Sequence, residues 1–114
     1  MAVTLVYFGA AVAPDGDVVV TWETAAEIKN AGFNLFRAPT IVGPFERINE
    51  RLIPARGSLL QGAAYRFLDS KPSAGPLYYR LEDVDTAGRG TWHGPVAAWR
   101  AAVRRYLPIV SGRF

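Results

Sequence analysis

Cysteine is absent from these 114 residues, which excludes disulfides, thiolate nucleophiles and every cysteine-based zinc site, and leaves stability to packing and hydrogen bonds. The redox compartment stays open. Histidine is nearly absent too, His93 being the only one, and no serine sits in a Gly-x-Ser-x-Gly turn, so no other group is at hand to activate a nucleophile. The chain therefore reads as a non-enzyme with no cofactor. No run of 18 apolar residues is present to span a bilayer as a helix, and the start, Met1 to Ala13, lacks the positive charge that opens a secretory leader. None of Asn30, Asn34 and Asn49 opens a glycosylation sequon. Charge of one sign is not massed either. Eleven of the 13 basic residues are arginines, scattered from Arg37 to Arg113 among ten carboxylates, so the net charge of +3 forms no dense stripe of the kind nucleic acid requires.

What is abundant is punctuation. Eight prolines and eleven glycines separate short runs rich in β-branched and aromatic residues, the pattern of many strands joined by turns. Val3 to Phe8 reads as a first strand, followed by a turn at Ala13-Pro14-Asp15-Gly16. Asp17 to Glu23 is a second, and alternation puts Val18, Val20 and Trp22 on one face. Thr24 and Glu27 have capping-box spacing, which suggests a loop with one helical turn up to Asn30. Further strands are expected at Gly32 to Arg37, with Phe33 and Leu35 inward, at Pro44 to Asn49 on an edge, and at Tyr65 to Leu68. Glu50 to Ala64 reads as an extended loop. Leu77 to Asp85 is a sixth strand, with Tyr79 and Leu81 inward. Strict alternation would bury Asp83, so a bulge near Glu82 or Asp83 is expected to shift the face. Thr91 to Ala101, interrupted at Gly94-Pro95, is the seventh. The expected fold is all-β, a seven-stranded antiparallel sandwich of immunoglobulin-like kind over residues 1–103, with an apolar tail over 104–114.

Trp22 ending the second strand, Phe33 opening the third, and Tyr79 in YRLEDVDTAG carry a resemblance to fibronectin type III domains. It is strongest toward the divergent versions near the C-termini of secreted bacterial multidomain proteins. The likeness covers about Val3 to Ala98, with TWETAAEIKNAGFNLFR and YYRLEDVDTAGRG its most specific stretches. It implies a structural core of Trp22, Phe33, Leu35, Tyr79 and Leu81, and a module that is secreted or displayed at the cell surface. The chain departs from that pattern before the sixth strand, where Asp69 to Pro76 replaces a short connection and leaves open the tyrosine-corner hydrogen bond of Tyr79. It also lacks an Arg-Gly-Asp tripeptide.

Other residues suggest chemistry more weakly. His93 beside Gly94-Pro95 reads as a hydrogen-bonded surface residue rather than a catalytic base. Glu82, Asp83 and Asp85 diverge along a strand, so they do not face one another as an acid/base pair. Asp83 to Gly88 repeats part of a calcium-loop spacing but lacks the later ligands, and no metal is expected. Trp92 and Trp99 would offer a sugar platform only if Gly94-Pro95 acts as a bulge that brings both to one face. Arg100, Arg104 and Arg105 read as a solvated edge that blocks unwanted pairing.

The ends are unusual. Val3 to Phe8 is apolar on both faces apart from Thr4, and Tyr106, Leu107, Ile109 and Val110 add an apolar segment past the last strand. Val3, Leu5 and Tyr7 with these four are the expected self-association residues, one chain's end completing a neighbour's sheet in a filament. The expected function is a non-catalytic extracellular structural or interaction module whose partner is itself or a neighbouring domain. The alternative is a carbohydrate-binding accessory module of a secreted polysaccharide-active protein.

Overall fold

The computed structural model describes residues 3–101. Eight strands follow one another: β1 (Val3–Val12), β2 (Val18–Glu27), β3 (Asn30–Ala38), β4 (Glu46–Arg47), β5 (Ile53–Pro54), β6 (Ala64–Asp69), β7 (Gly75–Asp85) and β8 (Gly90–Arg100). They form the expected antiparallel sandwich, one sheet ordered β1-β2-β6 and the other β4-β3-β7-β8, with β5 further along the free edge of β3. The strand count is eight rather than seven because that edge is paired in two pieces. Between them the Asn49 carboxamide replaces a strand: its Oδ1 accepts from Leu35 N–H at 2.8 Å, while its Nδ2 donates to Asn34 Oδ1 and Arg51 O, both at 2.9 Å.

Alternation builds the core. Val18, Val20 and Trp22 from β2, Phe33 and Leu35 from β3, Tyr65 from β6, and Leu77, Tyr79 and Leu81 from β7 are all buried between the sheets, with Val3 from β1. At its centre Trp22 stacks on Tyr65, with centroids 5.3 Å apart and planes 7° from parallel, and Phe33 meets both rings edge-on at 5.5 and 4.8 Å. Such aromatic pairs add to the stabilisation from area burial alone.

Two local expectations are overturned. No helical turn follows β2. The strand continues to Glu27 and turns at Ile28-Lys29, with Lys29 in the left-handed region at φ 51°, because Glu27 is recruited as a buried hydrogen-bond hub rather than a helix cap. The bulge lies not in β7 but in β8, where Arg80 alone opposes Gly94-Pro95: Tyr79 pairs Val96 and Leu81 pairs His93. Pro95 has no N–H to offer a ladder and Gly94 takes φ 96°, so this is where the irregularity costs least. Alternation in β7 is unbroken. Asp83 faces inward at 1% exposure, its Oδ2 2.5 Å from His93 Nε2.

Two further carboxylates tie the fold together. Asp69 at the end of β6 accepts from Arg37 of β3 at 2.6 and 2.7 Å and from the Tyr79 hydroxyl at 2.6 Å, so it joins the sheets and supplies Tyr79 with a side-chain version of the corner bond. Glu27, 3% exposed, accepts from the Thr24 hydroxyl and the Tyr65 hydroxyl, both at 2.7 Å, from Gly57 N–H at 3.1 Å and from Asn30 Nδ2 at 3.2 Å. Burial pushes the Glu27 carboxyl up, but the hydrogen bonds from Thr24, Tyr65, Asn30 and Gly57 outweigh it and hold the group below its ordinary 4.5. Burial, then the bond to Glu27, pushes the Tyr65 phenol up to about 12.

The signs give a testable pH profile. A depressed carboxyl stabilises the fold above its unfolded value and loses that contribution as pH falls through its folded value, while a raised phenol loses its contribution as pH rises from 10.0 toward 12. Glu27→Gln is expected to cost about 2 kcal/mol at neutral pH, by weakening hydrogen bonds to a charged acceptor, and to flatten the acid limb below 4.5. Urea midpoints measured from acid to neutral pH check this, and an acid limb unchanged in the variant contradicts it.

Candidate functional site

The bulge at Gly94-Pro95 decides what the outer face of the five-stranded sheet displays. In a regular strand Trp92 and Trp99, seven positions apart, would point to opposite faces. With one extra residue in β8, Trp92 pairs Glu82 and Trp99 pairs Pro76, both outward positions of β7. Both indoles therefore stand on one outer face, 43% and 68% exposed.

Between them lies an ordered patch. Arg80, outward on β7, lays its guanidinium carbon 4.4 Å from the Trp92 ring centroid and 5.2 Å from that of Phe45. Phe36, paired with Arg80 from β3, meets Trp92 edge-on at 4.8 Å. Tyr78 follows at the next outward position toward Trp99. Cation–π contacts of this kind hold a long side chain in place while it remains available to a ligand. The sequence reading missed Phe36, Phe45, Tyr78 and Arg80. The signal was present in LYYRL, where both residues between the core positions are aromatic or basic, and in Phe36 of GFNLFR, while nothing comparable marks Phe45.

The other candidates separate. His93 turns inward to Asp83, Glu82 turns outward and accepts from Asn34 Nδ2 at 3.1 Å, and Asp85 caps its own turn by accepting from Ala87 N–H and Arg89 N–H at 2.9 Å each. The three carboxylates thus serve three environments. Within the stretch of partial calcium-loop spacing, Asp83 pairs with His93 and Asp85 with backbone N–H groups. Arg100 points to the β1–β2 turn, donating to Gly16 O at 2.7 Å, and Arg104 and Arg105 lie outside the described residues.

The proposed self-association residues are divided as well. Val3 is buried in its own domain's core and Leu5 packs against it, so neither is available to a neighbour. A register shift between Leu5 and Tyr7 explains how β1 can be apolar on both faces: it slips Val6 out of the ladder and lets Phe8 and Ala10 continue the inner face. Tyr7 is exposed. Tyr106, Leu107, Ile109 and Val110 lie outside the described residues.

The arrangement of strands is similar to that in the crystal structure of a Fn3-like protein from Clostridium thermocellum, with a TM-score of 0.58 over 92% of this chain and 97% of that one, at 18% identity. No protein-family model matches the chain, and no curated protein does. The fold is fibronectin type III-like.

Proposed function

We propose that the chain is a non-catalytic interaction module that works outside the cell and associates with a second copy of itself through the outer face of the five-stranded sheet. The observation that carries this is a single outer face that holds Tyr78 and Arg80 by the alternation of β7 and both Trp92 and Trp99 through the β8 bulge. Tryptophan, tyrosine and arginine are the side chains that dominate protein-binding hot spots, and an exposed patch of them is unusual on a surface without a partner. Outward Arg80 and Glu82 lie two positions apart on β7, so a two-fold, face-to-face contact brings each arginine toward its partner's glutamate. The placing outside the cell rests on the resemblance of TWETAAEIKNAGFNLFR and YYRLEDVDTAGRG to modules of secreted bacterial proteins.

A filament built by both apolar ends loses its first half, because Val3 and Leu5 are internal. A sugar platform made of the two tryptophans is also disfavoured. Their β7 partners are six residues apart, which separates the rings by roughly 20 Å, and Arg80 already covers a face of Trp92. Light scattering of the full chain over a wide concentration range tests the reading. A dimer is expected, and Trp92→Ala with Trp99→Ala should weaken it about a hundredfold. A monomer at every concentration overturns it.

A further inference from the structure

The outer face of the other sheet carries a second site. Tyr7 does not project from β1 but lies back along the strand, its phenol over the α-carbon of Gly9, where any β-carbon would collide with it. Glycine at position 9 is thus what lets an exposed aromatic ring lie against the sheet. Across the ladder from it run Glu23, paired with Tyr7 and Ala64, and Thr21, paired with Gly9 and Arg66. Arg56 closes the far side, its guanidinium carbon 4.5 Å from the Tyr65 ring centroid and its Nη2 donating to Ala64 O. Together they line a groove of about 530 Å³. Among the described residues neither Arg66 nor Glu23 makes an ion pair.

From this geometry we infer that the groove binds an acidic polysaccharide, a chain of uronic acid units. The Tyr7 ring receives the C–H face of a sugar, Arg66 and Arg56 pair with its carboxylate, and Glu23 and Thr21 take hydroxyl hydrogen bonds. Each element narrows the class. Two guanidinium groups, with Arg66 free of an ion pair among the described residues, favour a sugar that carries a carboxylate over a neutral glucan, and a bare anion has no use for a flat ring. Single-stranded nucleic acid uses rings and arginines too, but it is read by a continuous basic track, and here the basic groups in the groove are, among the described residues, Arg56 and Arg66 alone. The site is separate from the tryptophan face and does not depend on self-association.

Calorimetric titration of the full chain with oligogalacturonide, neutral laminari-oligosaccharide and single-stranded DNA provides the test. Binding of the oligogalacturonide is expected, weakened by salt, with Arg66→Ala and Tyr7→Ala each reducing affinity about tenfold or more. Both side chains are exposed, so the variants should unfold at the wild-type urea midpoint. Tyr7→Phe should retain binding, and Trp99→Ala should leave it unchanged. Absence of oligogalacturonide binding, equal binding of the neutral glucan, tighter binding of the DNA, or affinity indifferent to Arg66 and Tyr7 would each overturn the inference. A dimer that persists in the Arg66 and Tyr7 variants keeps the two sites distinct.

Discussion

Trp22→Ala is expected to unfold the domain or bring it to the edge of unfolding. Trp22 is fully buried, stacks on Tyr65 and meets Phe33 edge-on, and it stands in the middle strand of its sheet. Removing a buried tryptophan costs about 3 to 5 kcal/mol, against a total of roughly 5 to 15 kcal/mol for a domain. The loss is one of packing alone, since the indole Nε1 has no hydrogen-bond partner among the described residues. That detail separates two substitutions. Trp22→Phe keeps a ring against Tyr65 and discards the unpaired N–H, so it should cost only about 1 to 2 kcal/mol despite the lost volume. Urea midpoints and near-ultraviolet circular dichroism of both variants provide the check. A Trp22→Ala midpoint equal to the wild-type value contradicts the described packing.

Much of the sandwich is written in period-two alternation. In DVVVTWE, GFNLFR and LYYRL every second residue is large and apolar, and those residues are the ones between the sheets. The sequence was hardest to read where a polar side chain replaces backbone pairing. Residues 50–64 have no apolar rhythm because they are held by Glu27, which takes Gly57 N–H, and by Asn49, whose Nδ2 donates to Arg51 O. Thr24 and Glu27 do bond, at 2.7 Å, but hydroxyl to carboxylate at the end of a strand, while the backbone N–H groups that a capping box would satisfy go to Ala63 O and Ser58 O. Three-residue spacing alone does not tell a helix from a strand whose neighbours slip register.

The outer face was legible only conditionally. That Gly94-Pro95 interrupts a strand can be read from the pair itself, and the consequence for Trp92 and Trp99 follows from counting residues. A lone aspartate at an inward position argues instead for an irregularity in β7, because an unpaired buried carboxylate is unfavourable. The partner of Asp83, His93, lies ten positions away on the neighbouring strand, opposite Leu81, and the pairing is visible only once the β7–β8 register is known. The Tyr7 groove had a different obstacle. Nothing in VTLVYFGAA says that the tyrosine folds back over Gly9, because the register shift that leaves Val6 unpaired and turns Tyr7 outward is visible only once β1 is paired with β2.

Asp69 offers the second large effect. Its side chain, 7% exposed, is, among the described residues, the one acceptor for the buried Tyr79 hydroxyl and for Arg37, whose side chain keeps 28% of its surface. Burial, and then the bond to Asp69, pushes the Tyr79 phenol up, so the hydroxyl stays protonated and donates. Asp69→Ala leaves that hydroxyl buried and unpaired while also releasing Arg37. Breaking a buried pair from one side costs about 3 to 5 kcal/mol, and the lower end applies here because Arg37 can turn to water. Tyr79→Phe removes the hydroxyl together with its need for a partner and should cost only about 1 kcal/mol. Since both variants lose the same bond, their effects should not add: Asp69→Ala in the Tyr79→Phe background is expected to cost about 1 to 2 kcal/mol less than in the wild type. The loss should also persist at high salt, unlike that of a surface pair. Denaturant unfolding of the four proteins in the cycle decides it. Additive losses, or an Asp69→Ala cost below about 1 kcal/mol, would show that the two sheets are not joined through this carboxylate.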